Sequence, residues 1–230
     1  MKLVQSSLVF SQPVNEGDNI KNFSSSKPGM LGAIELEKLQ PTVLDPDIFK
    51  FVRINPVVDT MPPAMDKAIY FKNKVTLYGD PFRLSLLNDD PVNISDTVIE
   101  DVGQKFIDYL KNVPISAIGI NFTFHCDDTQ YASLSDKFLN AVPTLKKEIT
   151  NFASTFTIIK PHDVKLNIGI SPGPFELISG GNCLGLIIGF NYHKEFKLSA
   201  SLTEKKEHIK SFGTRKIEAN SLTTAILTNV

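Results

Sequence analysis

Hydrophobic and polar positions change their period repeatedly along this chain, and each change marks a switch between strand and helix. Residues 2–10, "KLVQSSLVF", have the length and β-branched content of a strand. Between residues 33 and 88 short apolar runs recur: "AIELE", "IFKFVRI", "AIYFKN", "KVTLYG" and "FRLSLL". They are separated by Pro41, Pro46, Pro56, the Pro62-Pro63 pair and Gly79-Asp80-Pro81. Runs spaced this closely predict an antiparallel meander, because a parallel crossover needs more chain than these gaps hold.

At "ISDTVIEDVGQKFIDYLKNVP" the period lengthens to that of a helix. Val98, Val102, Phe106, Tyr109 and Val113 fall on one stripe, with Glu100, Lys105, Asp108 and Lys111 facing away. Ser95, or Thr97 with Glu100, supplies an N-cap, and Pro114 the stop. In "ISAIGINFTFHC" the period returns to two: Ile118, Ile120, Phe122 and Phe124 share a face, and Asn121 and Thr123 the other. Two further helical segments are expected at "SLSDKFLNAV" and "TLKKEITNFAS".

The last third reads as β again in "FTIIK", "VKLNIGIS" and "CLGLIIGFNYH", the last with a stretch expected to be buried on both faces. Ser179-Gly180-Gly181-Asn182 is expected at a hairpin tip. A capping box of Ser201 and Glu204 predicts a helix over 202–212 ending near Gly213, and "NSLTTAIL" fits helix or strand.

These elements define an α+β fold, mainly antiparallel sheet with a meander in the N-terminal half and two to four helices on one face. A short echo between "GINFTFH" and "IGFNYH" adds the variant of two related β-α-β halves. One domain over 1–230 is expected, with a mobile loop at 14–32, a helix–strand unit at 95–125, and a second β region with its helix at 156–212.

Composition narrows the function classes. The 230 residues are 42% hydrophobic and 21% charged, the balance of an ordinary globular chain, and the net charge of -1 sets up no field for nucleic acid or anionic membrane. Arg53, Arg83 and Arg215 are the only arginines, and arginine is the side chain that best reads phosphates and guanine edges. No apolar run is long enough to span a bilayer, and "MKLVQSSLVFSQPV" lacks the pattern of a leader. The expected compartment is therefore cytoplasmic, with Cys126 and Cys183 as free thiols.

Candidate chemistry concentrates at His125, Cys126, Asp127 and Asp128, all of them residue types that can ligate a metal or take part in acid–base or nucleophilic catalysis. Alternation along a strand aims His125 and Cys126 to opposite faces, so a site there needs His162 with Asp163, Cys183 or His193 to arrive from elsewhere. No metal-binding spacing or nucleotide loop is present, and no cofactor is called for. Lys205, Lys206, Lys210, Arg215 and Lys216 form a second candidate, a basic patch for nucleic acid, against the alternative of a solvated helix face.

Without a concentrated acid, base or nucleophile motif, whether the chain is an enzyme stays open and the balance favours a non-catalytic protein. It is expected to associate with itself or a protein partner through strand edges and the loop at 14–32, as accessory proteins of phages and mobile elements do. A hydrolase or metal-dependent enzyme built on the His/Asp/Cys residues is the alternative, and nucleic-acid binding the weaker one.

Overall fold

A strand whose every second residue is apolar must bury that face, and the computed structural model shows how this chain does so. It describes residues 1–12, 51–56, 67–71, 75–79, 83–110, 114–126, 136, 153–176 and 182–228. The strands are β1 (Lys2–Ser11), β2 (Phe51–Pro56), β3 (Lys67–Phe71), β4 (Val75–Gly79), β5 (Arg83–Asn88), β6 (Ala117–Cys126), β7 (Ser154–Lys160), β8 (Val164–Glu176) and β9 (Asn182–Glu195). Among the described residues the helices are α1 (Asp96–Tyr109), α2 (Leu202–Lys210) and α3 (Phe212–Thr228), with a 3-10 turn at Pro161–Asp163.

All nine strands join one sheet in the order β2-β3-β4-β5-β1-β6-β9-β8-β7, every neighbouring pair antiparallel. The expected α+β class and N-terminal meander are present. Strand β1 sits between β5 and β6, so those two run parallel to each other and α1 must cross over β1 to connect them. Gly103 is where it crosses: a Cβ there would lie 2.5 Å from Leu8 Cδ1 on β1 and 3.0 Å from Ile209 Cγ2 on α2, so the missing side chain lets three elements meet.

The buried face follows the period-two pattern. Ile118, Ile120, Phe122, Phe124 and Cys126 of β6 and Leu186, Ile188, Phe190 and Tyr192 of β9 are all almost wholly buried. Phe122 meets Tyr192 and Phe212 edge-to-face, at centroid separations of 6.2 and 5.1 Å. Gly185 and Leu186 are both buried, whereas alternate residues from Ile187 to His193 are half-buried, so along that longer part β9 is covered fully on one face only. The buried stripe of α1 is Ile99, Val102, Phe106, Ile107 and Leu110, wider than the expected one because α1 packs on α2 as well as on the sheet.

Ser95 is the N-cap of α1, accepting from the Thr97 N–H at 3.3 Å, and Ser201 caps α2 by accepting from Glu204 at 3.1 Å. The helix expected over 202–212 stops earlier, at Lys210, and a second begins at Phe212. Gly213 thus opens a helix instead of ending one, and its N–H, an orphan of that first turn, donates to Glu100 Oε1 of α1 at 2.9 Å. The ambiguous "NSLTTAIL" is helical. Its threonine hydroxyls are satisfied one turn back: Thr223 donates to the Ala219 carbonyl at 2.8 Å and Thr224 to that of Asn220 at 3.0 Å.

The echoing strands β6 and β9 are neighbours, with Asn121 directly opposite Asn191. Strands β8 and β9 pair out to Glu176↔Asn182, as the expected hairpin requires. The loop at 14–32, the run at 33–37 and the helical segments at 133–142 and 144–154 lie outside the described residues, apart from helical Asp136 and the first residues around β7.

Phe122 is the joint between the sheet and α3. Phe122→Ala removes both ring contacts and is expected to lower unfolding stability by about 3–5 kcal/mol, read as a fall in the urea midpoint.

Candidate interaction edge and polar face

Every interior strand of a sheet has two neighbours, and the end strands have one. Among the described residues β7 pairs with β8 alone. Its residues Ser154, Phe156, Ile158 and Lys160 point to the helix side, opposite buried Ile170, Ile168, Leu166 and Val164, while Thr155, Thr157 and Ile159 point to the open side. Phe156 is 50% exposed, Ile158 41% and Ile159 67%. From Ser154 to Ile159 the strand carries no charge and no proline. Natural edges are usually blunted by those residues, and the opposite edge strand, β2, holds Arg53 and Pro56. Among the described residues strand β7 is an unguarded edge.

On the sheet face away from the helices, one register row is polar across five strands: Ser7, Asn121, Asn191, Asn167 and Thr157. Their hydrogen bonds run in one direction. The Thr157 hydroxyl donates to Asn167 Oδ1 at 2.8 Å, Asn167 Nδ2 to Asn191 Oδ1 at 3.5 Å, Asn191 Nδ2 to Asn121 Oδ1, and Asn121 Nδ2 to Ser7 Oγ at 3.1 Å. Beside it Gly189 faces Gly169, and a Cβ on either would meet nothing within 4 Å, so the row borders a shallow trough. The row ends at the centre of β7.

Among the described residues, His125, Cys126 and His193 do not converge. Cys126 is fully buried on the helix side and forms no disulfide, while His125 lies on the open side next to the register position of Lys2. Burial first, and the Lys2 charge second, lower the His125 pKa. His193 shares that open face but pairs with Gly119, six positions along β6 from His125. At a strand's rise that is roughly 20 Å. His162 is exposed in the β7–β8 turn, near the His193 end, and Asp127 and Asp128 lie outside the described residues. Among the described residues no three His, Cys, Asp or Glu side chains gather to hold a metal.

His162 and its neighbour Asp163 both adopt positive φ, 62° and 57°, an uncommon conformation for residues with a Cβ. They line a polar cleft of about 510 Å³ with Lys194, Glu195, Lys197 and Glu204. Its charges are largely matched within the fold: Lys194 pairs with Glu204 at 3.2 Å and Glu195 with Lys165 at 2.8 Å.

The C-terminal basic residues pair with carboxylates, Lys206 and Lys216 across to α1 and Lys210 and Arg215 within their own helices. Lys206 bridges to Asp108 on α1 at 2.6 Å, Lys216 to Asp96 at 2.8 Å, Lys210 to Glu207 at 2.7 Å and Arg215 to Glu218 at 3.0 Å. Lys205 is buried, and desolvation lowers its pKa. Beneath them Arg215 lies over the Tyr192 ring at 5.1 Å, and Glu218 also binds Lys160 at the end of β7 at 2.6 Å. Burial and the Glu218 charge push the Tyr192 phenol well above its ordinary pKa, partly opposed by Arg215. The structure therefore ties the edge strand to α3.

Sequence reading found β7 as a strand but not as an edge. The run "TFTII", free of charge until Lys160, does not by itself tell an edge from an interior strand, because sheet topology sets its place. The polar row was hidden because its members become neighbours only through register.

His208 gives the fold a measurable pH response. Burial, then the charges of Lys194 and Arg215, lower its pKa from 6.5 to about 4, against hydrogen bonding at the Ile118 and Tyr192 backbone. Between those two pH values the unfolded chain binds a proton that the folded chain does not, so stability falls as pH falls. The slope for this one proton is about 1.4 kcal/mol per pH unit. Urea midpoints measured across that interval should decline in the wild type and decline less in His208→Gln, with His125, and Glu195 and Glu218 toward its acidic end, adding slope of the same sign. Comparison with protein-family models, with curated proteins and with solved structures finds no match, so the functional reading rests on this geometry.

Proposed function

We propose that this protein works by binding protein chains, with the free edge of β7 accepting an extended segment as an added strand. The observation that carries the reading is the exposure of Phe156, Ile158 and Ile159 on an edge strand without charge or proline up to Ile159. Main-chain hydrogen bonds along such an edge supply affinity, and alternate side chains on each face supply selectivity. The His125 to His193 separation and the pairing of the C-terminal cations with carboxylates favour association over the hydrolytic and nucleic-acid readings. A cytoplasmic accessory role, as in phages and mobile elements, fits a chain whose action is to hold another chain. Among the described residues no helix is long and apolar enough to cross a membrane.

Selection from a library of unstructured seven-residue peptides tests this directly. Enriched sequences should alternate apolar residues and lack proline, and Phe156→Lys with Ile158→Lys should reduce their capture at least tenfold. Enrichment that is indifferent to those two substitutions would sink the reading.

A further inference from the structure

We infer that the segment β7 accepts is β7 of a second copy of this chain, paired antiparallel about a two-fold axis at Thr157. This deepens the strand-addition reading and rests on it. The argument is one of self-complementarity, which a two-fold interface demands because each residue must suit its mate in both directions.

Centring the pairing on Thr157 places Ser154 opposite the second copy's Lys160, Thr155 opposite its Ile159, and Phe156 opposite its Ile158. All of the strand's residues are then paired. The half-exposed Phe156 and Ile158 come together on the helix side, as an aromatic–aliphatic cross-strand pair on each side of the axis. Lys160, held by Glu218, meets a serine and no like charge. Moving the axis to Ile158 would instead set Lys160 against Phe156 and leave Ser154 and Thr155 unpaired. An axis at Phe156 would leave Ile159, the most exposed apolar residue of the strand, without a mate.

The open face gives a second, independent reason. Thr157 is the donor that starts the polar row, and its hydroxyl sits where the axis passes. Opposite a second Thr157, it forms a Thr–Thr cross-strand pair, and the rows of the two copies join end to end. The two-fold axis of an antiparallel pair stands perpendicular to the sheet, so the helices of both copies stay on one face. Two nine-stranded sheets become one continuous sheet whose remaining edges are the two β2 strands. The assembly is closed at two copies because its β7 edges are consumed.

Cysteine placement reads the register. Residues directly opposite in an antiparallel pair have Cα atoms about 4.5–5.5 Å apart, inside the span a disulfide tolerates. Thr157→Cys in the full-length protein, oxidised with diamide at micromolar concentration, should give a disulfide-linked dimer by non-reducing mass measurement. Thr155→Cys alone should not, since its mate is Ile159, and Thr155→Cys combined with Ile159→Cys should link again. The wild-type chain with Cys126 and Cys183, treated the same way, is the baseline. Native mass measurement should show a dimer that Ile158→Lys converts to monomer with an unchanged circular dichroism spectrum. A wild-type monomer, or a series extending beyond two copies, would overturn the self-pairing while the peptide selection still judges strand addition. A dimer in which Thr155→Cys links as readily as Thr157→Cys would overturn the register.

Discussion

Among the described residues the structure depends on one constraint: a wide sheet whose helices all lie on one side. Phe122 on β6 is clamped between Tyr192 of β9 and Phe212 of α3, and Phe10 on β1 meets Phe106 of α1 at 6.2 Å. Those aromatic contacts decide which face the helices take. Burial of that face is the dominant stabilising term. Everything else on the molecule is what remains after it is satisfied. The opposite face must make its own peace with water, and strands beyond the reach of the helices keep part of their apolar surface exposed.

The polar row is one response to that constraint. An asparagine in mid-strand costs β-propensity, yet Asn121, Asn191 and Asn167 occupy neighbouring strands at one register level. Each amide both donates and accepts along the row, so none of the half-buried groups lacks a mate, and the bonds polarise one another in a single direction. A one-residue slip of any strand would break the row and turn the core residues outward together. Register is thus specified twice, once from each face.

What could be read from the sequence followed the same division. The alternation in "INFTF" and the stripe through Val102 and Phe106 reported the buried face, because burial writes its period into the chain. The α+β class, the meander from β2 to β5 and the strand at 117–126 were legible for that reason. The split of the C-terminal helix at Ser211 was not: it follows from Glu100 on a distant helix accepting the Gly213 N–H, and no local pattern records a partner 113 residues away. The candidate site was legible in part. Strand alternation parted His125 from Cys126, and the structure shows Cys126 buried in the core with His125 on the open face. Which strand would lie at an edge is a matter of topology, and "TFTIIK" reads alike inside a sheet and at its rim.

Ion pairs then explain why β7 can remain an edge without fraying. Lys160 at its C-terminal end is bound to Glu218, which also receives Arg215; burial alone would raise the Glu218 pKa, and these two cations together lower it. A lone exposed pair is worth about 0–1 kcal/mol, and here three partly covered charges form a network instead. The strand is thereby anchored at one end to α3, which packs on β6 and β9, and along its length to β8. A rigid edge loses little entropy when it takes on another strand, and pre-ordering of this kind raises affinity without adding contacts. The absence of charge from Ser154 to Ile159 and the fixed charge immediately after them divide the strand's two tasks: an exposed uncharged rim, and a terminus whose position is held from behind.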